Sequence, residues 1–524
     1  MGVVYELVYL ISRIYFLVVD VIFNVINLFK ERKRVPSTND PLLLISATEA
    51  VKRIANRKVT SRQLVDAYIH RIEQVNDLVN AAVVCLFSEA REKADEMDRT
   101  LADMSDDELQ EYVKTKPLLG VPYTVKDALA VKDVPITCGI YSQKGIKCTF
   151  TATVVNRMDA AGAILLAITN VPEVCMFIET ANGIYGRTRN PYDLRRSAGG
   201  SSGGEGALIG AAGSLIGIGS DIGGSIRIPS FNGGIFGMKN TPGINPLDGH
   251  VPEVKGFDEQ MLRVGPMCRY MEDIPLLIEV MGADKVPRLR LSDPVDLKKI
   301  RVFYMEGVRS PLVQCLKADM RDTLVKAVGH IEKRFDVEAI RIDLPIFTKA
   351  VEIVLTSIGQ EEKPKTKEYL LSLEADKGSV NVIVELVKLL VGKSVHTPGG
   401  LSFALIEGID TMSKEEKAEI IRLRERLLRQ INELLSDNGI LLFPSWPHVA
   451  PFHNHPVFTM FNVAYTAIFN TLALPVIQCP MGLNRSGLPL GVQVVGAPYS
   501  DRLVIAAARE ISTAFGGWTP PWKL

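Results

Sequence analysis

The apolar and polar positions of this chain fall into one hydrophobic N-terminal run followed by a long body in which two periodicities alternate. Thr60-Ser-Arg-Gln63 has the form of a capping box, and Leu64, Val65, Tyr68, Ile69, Ile72 and Val75 then recur on one helical face. Ser46-Ala-Thr-Glu49 has the same capping form. Residues 80–86 read as a strand, and the charged run 89–107 as a solvated helix and loop. An apolar strand over 118–125 delivers Lys126 at its end. A helix over 151–161 and a strand over 163–169 follow, then a small-residue helical run over 205–212 and a strand over 215–218. In the second half, 413–436 is a charged amphipathic helix closed by Asp437-Asn-Gly439. Strands are predicted over 440–443 and 488–495, and a helix over 502–515. Such alternation predicts one large domain with a mixed or parallel sheet covered by helices. No internal repeat interrupts it.

Residues 1–29 are apolar but interrupted by Glu6, Arg13, Asp20, Asn24 and Asn27. At 100° per residue these five fall within an arc of roughly 60°. The run lacks the small-residue cleavage site of a removed signal peptide. A lone spanning helix would expose Arg13 and Asp20 to lipid at about 2.5–3.5 kcal/mol each. Two arrangements avoid this cost: an interfacial helix with its polar stripe towards water, or a spanning helix with the stripe against a partner helix. Lys30-Glu-Arg-Lys-Arg34 keeps the following domain on the cytosolic side by the positive-inside rule. The expected organisation is a membrane anchor over 1–34, a linker over 35–40 and a catalytic domain over 41–524.

Composition narrows the chemistry. Of the 524 residues, 60 are Lys or Arg and 60 are Asp or Glu, so no basic field points to nucleic acid. The seven cysteines, at 85, 138, 148, 175, 268, 315 and 479, are scattered without a C-x-x-C. That spacing speaks against a disulfide framework and against a thiolate zinc site, and it fits a reducing compartment. His448, His453 and His455 are the one metal-like cluster, but their spacing is not that of a zinc site and Pro447, Pro451 and Pro456 suggest a surface loop. Neither a metal nor a cofactor is expected.

The candidate chemistry lies in 197–229, SAGGSSGGEGALIGAAGSLIGIGSDIGGSIRIP. Two Gly-Ser islands, 199–204 and 223–225, flank the small-residue helix and the apolar strand, which can bring distant serines into one site. No lysine follows the glycines in the manner of a phosphate loop. GGSSGGEGAL followed by GSDIGGSIRIPS, with the upstream VPYTVKD that carries Lys126, resembles the amidase signature family. Within it the chain is similar to the membrane-anchored fatty-acid amide hydrolases, a likeness supported by NVAYTAIFNTLALPVIQCPMGL and GLPLGVQVVGAP.

The resemblance implies an α/β/α sandwich around a mixed β-sheet. It makes Ser225 the nucleophile, Ser201 the bridging serine that relays the proton and Lys126 the base. Ile222, Gly223 and Gly224 supply oxyanion donors, and Ser202 and Arg227 support the site. It also implies a cis peptide between Gly200 and Ser201. Asp221 is expected to orient backbone or Arg227, and Ser214, Ser220 and Ser230 are expected to be structural. A lysine serves as base only when neutral, and lowering its pKa by roughly three units costs about 4 kcal/mol. The implied reaction is hydrolysis of lipid amides through an acyl-enzyme. An amidotransferase-like amidase and a catalytically silent lipid carrier are the alternatives, and a homodimer is left open. Phe458, Phe461, Tyr465 and Phe469 are read equally as an acyl channel or as plain helix core. The segment 380–391, apolar but for Asn381, Glu385 and Lys388, is expected as a second membrane contact near the substrate entrance.

Overall fold

The computed structural model describes residues 2–360, 363–409 and 412–522, so the first residue of the expected anchor and the last two of the expected catalytic domain lie outside it. Its frame is an 11-stranded sheet. In chain order the strands are β1 Ala82–Cys85, β2 Pro122–Lys126, β3 Ile164–Thr169, β4 Ile216–Asp221, β5 Phe236–Lys239, β6 Arg263–Cys268, β7 Arg301–Tyr304, β8 Ala339–Arg341, β9 Gly439–Pro444, β10 Val476–Leu483 and β11 Pro489–Gly496. Across the sheet they run β1-β3-β2-β4-β6-β5-β10-β11-β9-β7-β8. The pairs β3–β2, β2–β4, β11–β9 and those around them mix parallel and antiparallel ladders, as the alternation in sequence predicts.

The sheet separates two apolar cores, and β9 makes the reason visible. Successive side chains on a strand point to opposite faces. Ile440 and Leu442 join one core, with the helices Ser61–Val79 and Asp501–Phe515. Leu441 and Phe443 join the other, with the helices Ala350–Ile358, Lys414–Leu435 and Ala464–Thr471. Helices on both faces of a mixed sheet make the α/β/α sandwich. The predicted capping box at Thr60 and Gln63 forms in both directions, and the whole predicted apolar face behind it is buried. Ser46 caps its helix through Glu49 N–H alone.

Residues 35–40 form no helix or strand, and Val35 ties them down: it is buried and its N–H donates to Pro191 O at 3.1 Å. Two expectations are corrected. The segment of His448, His453 and His455 is not a surface loop but lies against the body and the N-terminal helix, with His455 4 % exposed. Among the described residues no cluster of His, Cys, Asp or Glu forms a metal site. The polar stripe of the N-terminal run divides: Asp20 and Asn27 face the chain's own body rather than a partner helix, Glu6 reaches Arg309 from an exposed position, and Arg13 and Asn24 are exposed.

That run is helix α1, Gly2–Leu28, and its segment Tyr5–Leu28 is long and apolar enough to cross a membrane by length and composition. It is docked lengthwise. Tyr5 Oη donates to Arg309 O at 3.1 Å and Glu6 pairs with Arg309 at 2.9 Å. Asp20 accepts from Lys317 at 2.8 Å and from Gln314 at 2.9 Å, and lies 3.0 Å from His455 Nε2. Further along, Phe23 meets the rings of His455 and Phe458, and Arg195 donates to Asn27 O at 3.2 Å. Phe16 and Val19 are buried against the body, whereas Leu10, Ile14, Leu17, Val21 and Val25 on the other side are exposed.

Asp20 is the polar hub of this dock. Asp20→Ala leaves the groups it serves without their acceptor, which costs about 1–3 kcal/mol. Hydrogen exchange of the full chain in detergent should then be faster across α1 and unchanged in β2 and β4. Equal protection of α1 in both proteins would contradict the docked geometry.

Candidate active site

The site is assembled where β2 and β4 run side by side and end. β2 is parallel to β4, so Lys126 at the end of one comes beside Ser220 near the end of the other. Between them the chain makes helix α2, Gly203–Gly210, which enters from the first Gly-Ser island. Glycine is needed where backbones approach closely: a Cβ on Gly204 would stand 2.3 Å from Asn170 N. After β4 the chain turns through 222–225 into helix α3, Arg227–Asn232. Gly224 in that turn has φ +126°, a conformation that L side chains rarely adopt, and a Cβ there would stand 2.1 Å from Thr466 Oγ1.

Lys126 is buried, and burial holds its amine below the usual lysine range. Its Nζ lies 2.7 Å from Ser201 Oγ, 2.9 Å from Ser220 Oγ and 3.3 Å from Ser220 O. Ser202 N–H donates to Ser225 O at 3.1 Å, which ties the two Gly-Ser islands together. Ser202 Oγ also reaches the Ser220 backbone at 3.3 Å. The Gly200–Ser201 peptide is cis. Ser201 and Ser225 share a cavity wall, but among the described residues no hydrogen bond joins their hydroxyls.

The turn that carries Ser225 is held by a buried ion pair. Arg227 Nε meets Asp221 Oδ2 at 3.0 Å with both side chains fully buried. Burial alone would raise the Asp221 carboxyl, but the Arg227 charge outweighs it and holds the group well below the usual carboxylate range. The same carboxylate accepts from Ile226 N–H at 3.1 Å and Asn470 Nδ2 at 2.9 Å, while Arg227 donates to Gln493 Oε1 at 2.8 Å and Thr466 O at 3.0 Å. Asp221 therefore orients both backbone and Arg227. Gly224 N–H, expected as an open donor, is spent on Asp221 Oδ1 at 2.7 Å. No hydrogen bond engages the N–H of Gly223 or Ser225 among the described residues.

Two cavities meet at Ser225. One, of about 410 Å³, is lined by Ser201, Ser220, Ser225, His250 and, further out, Asp258 and Lys363. The other, of about 80 Å³, is apolar, with Met176, Val354, Ile358, Phe403, Ile406 and Phe461 among its walls. Ile222 and Ser225 line both. The aromatic series divides: Phe461 lines the apolar cavity, Phe458 is half-exposed beside α1, and Tyr465 and Phe469 are core. Ser220, expected to be structural, touches Lys126, which corrects that reading, and His250, unread in sequence, touches Ser220. His250 lies beyond the motif, and nothing in its neighbourhood marks it.

Comparison with known proteins identifies the family and the fold. Residues 63–505 match the family described as Amidase. The chain is 40% identical over 524 residues to fatty-acid amide hydrolase 2-A of Danio rerio, covering 98% of this chain and 97% of that protein. It is 41% identical to fatty-acid amide hydrolase 2 of Homo sapiens, over 92% of this chain and 91% of that protein. A solved structure of a fatty acid amide hydrolase superposes with a TM-score of 0.74 at 24% identity, over 93% of this chain and 88% of that one, which bears on the fold.

Glu205, fully buried on α2, gives a pH prediction. Its carboxyl oxygens lie 2.7 Å from Thr124 Oγ1 and 2.9 Å from Thr169 Oγ1. Burial outweighs these contacts and pushes the carboxyl up to about 8, against about 4.3 unfolded. The folded state keeps a proton that the unfolded state releases, so stability falls as pH rises from the unfolded value to the folded one. Glu205→Gln removes that term. Its melting temperature should fall less between about pH 5 and 8 than the parent's, and parallel curves would refute the assignment.

Proposed function

The chain belongs to the amidase family and is an amide-hydrolysing serine hydrolase, and from that premise we propose that it cleaves lipid amides through a Ser225–Ser201–Lys126 relay. The observation that carries the reading is the buried, depressed Lys126 amine at 2.7 Å from Ser201 Oγ, on the wall of the cavity that Ser225 also lines. Neutral Lys126 takes the Ser201 proton, Ser201 takes that of Ser225, and Ser225 Oγ attacks the amide carbonyl. The Ser201–Ser225 hydrogen bond forms as substrate arrives, since catalytic hydrogen bonds often tighten in the bound complex. The negative charge that develops on the carbonyl oxygen is met by the turn, with the free N–H of Gly223 and of Ser225 as its donors and Ile222 and Gly224 shaping the approach. The relay then runs backwards and protonates the leaving nitrogen. Water admitted through the larger cavity releases the acyl group by the same path.

The apolar cavity beside Ser225 suits an acyl chain, and the named relatives act, by their names, on fatty-acid amides. Its surroundings favour a substrate drawn from a membrane. Helix α1 touches 455–458, that segment touches the helix Pro398–Glu407, and this one touches the helix Val382–Leu390. Both ends of the series carry exposed apolar side chains, on α1 and at Ile383, Val387 and Leu390. Phe403 and Ile406 of the intervening helix line the apolar cavity. In this reading α1 lies flat in one leaflet, the helix 382–390 makes a second contact, and the basic residues 30–34 keep the body at the cytosolic face.

A fluorophosphonate probe should label the full chain at Ser225, and Ser225→Ala should abolish labelling and amide turnover while the fold is kept. Lys126→Ala should lower kcat on amides by about 10²–10⁴-fold and remove the rise of rate with pH that a depressed lysine imposes, because the amine works only once deprotonated. A variant with the parent's pH–rate profile would exclude Lys126 as the base.

Orientation is tested in intact microsomes. External protease should digest the catalytic domain, and a glycosylation tag at the N-terminus should stay unmodified. Modification of the tag would mean that α1 crosses the bilayer.

A further inference from the structure

Beyond the three relay residues, the groups behind Lys126 form a second chain of contacts with a defined direction. His250 Nδ1 faces Pro252 O at 3.1 Å, and His250 Nε2 faces Ser220 Oγ at 3.0 Å. A carbonyl oxygen only accepts, so Nδ1 carries the ring proton and Nε2 is left as an acceptor. The single proton of the Ser220 hydroxyl therefore goes to Nε2, and the lone pairs of Ser220 Oγ are free for Lys126 Nζ at 2.9 Å. The Ser220 carbonyl oxygen stands 3.3 Å from the same nitrogen. A neutral amine has two N–H bonds and one lone pair. Ser220 takes both N–H bonds, through Oγ and through O, which leaves the lone pair for Ser201 Oγ at 2.7 Å.

We infer that His250 is a positioning residue that acts through Ser220 to aim the Lys126 lone pair at the Ser201 hydroxyl. The inference rests on the reading of Lys126 as the base. Without an acceptor at His250, the Ser220 hydroxyl turns to the best neutral acceptor in reach, the Lys126 lone pair, and competes there with Ser201. The ring suits the task because it stays uncharged. Burial and the neighbouring Lys126 push it down to about 4, so it remains a neutral acceptor at any pH where the lysine deprotonates. Because His250 also lines the larger cavity, a role in substrate binding is the competing account, and the two differ in which kinetic constant they move.

The test is a mutant cycle on the full chain, with His250→Leu, His250→Gln, Ser220→Ala and the pair Ser220→Ala/His250→Leu, assayed on a long-chain fatty-acid primary amide. His250→Leu should lower kcat by about 10- to 100-fold with KM within about threefold. His250→Gln, whose side-chain carbonyl accepts from Ser220, should restore kcat to within about fivefold of the parent. In the Ser220→Ala background the Leu change should cost less than about threefold, since the group through which it acts is gone. An unchanged kcat in His250→Leu, a loss carried by KM, or a full loss persisting in the Ser220→Ala background would each overturn the inference. If His250→Leu does not fold, His250→Met is read in the same way. Lys126→Ala run alongside separates the levels: if it keeps full activity the relay itself falls, whereas its loss with a normal His250→Leu removes His250 alone.

Discussion

The buried pair of Asp221 and Arg227 is the interaction on which the rest of the site depends. Isolated in this core, either charge would be prohibitive, and removing one partner of such a pair costs about 3–5 kcal/mol. Together they are saturated by neighbours from three directions. The carboxylate gathers the N–H groups of the turn behind Ser225, and the guanidinium reaches the helix Ala464–Thr471 and strand β11. The pair thus fixes a short glycine turn against two elements distant in sequence. A turn held from outside keeps N–H groups of its own, those of Gly223 and Ser225 among them, without a partner among the described residues.

Three ionisable groups within this small region are tuned in three different ways. Asp221 stays charged because a cation faces it. Glu205, equally buried but facing only hydroxyls, keeps its proton. Among the described residues Lys126 has no carboxylate in contact, only the oxygens of Ser201 and Ser220, so burial lowers its amine unopposed by an ion pair. The separation of Lys126 from the two carboxylates is as much a part of the chemistry as its nearness to Ser201. Exchanging the surroundings of Glu205 and Asp221 would leave an anion on α2 and draw the lysine towards its charged form.

Much of this was legible in sequence, for physical reasons. Strands β2, β3 and β4 are short apolar runs bounded by glycine, proline or polar turns, and the Gly-Ser islands need a backbone that few other residues tolerate. Those signals are local. What stayed hidden depends on contacts between remote segments. The arc of Glu6, Arg13, Asp20, Asn24 and Asn27 was plain, but that Glu6 meets Arg309, Asp20 meets Lys317 and the Asn27 backbone carbonyl meets Arg195 is set only by tertiary packing. His250 is a single residue in a loop, and its role comes from the strand end at Ser220. The prolines around His448 signalled a loop, but Pro456 lies at the start of the short helix His455–Phe458, and none said what would cover the segment.

The docked helix also carries a consequence for the order of biosynthesis. Asp20 leaves the ribosome 435 residues before His455, and Tyr15 leaves 443 residues before Phe458. At about 5–20 residues per second the helix waits tens of seconds for the far wall of its berth. During that interval Phe16 and Val19 have no protein to cover them and Asp20 lacks its counter-charge Lys317. A lipid surface can take the first, and the headgroup region can hydrate the second. The helix is made before the segments it docks on and is completed only after them, and in the proposed reading a membrane holds it until they arrive.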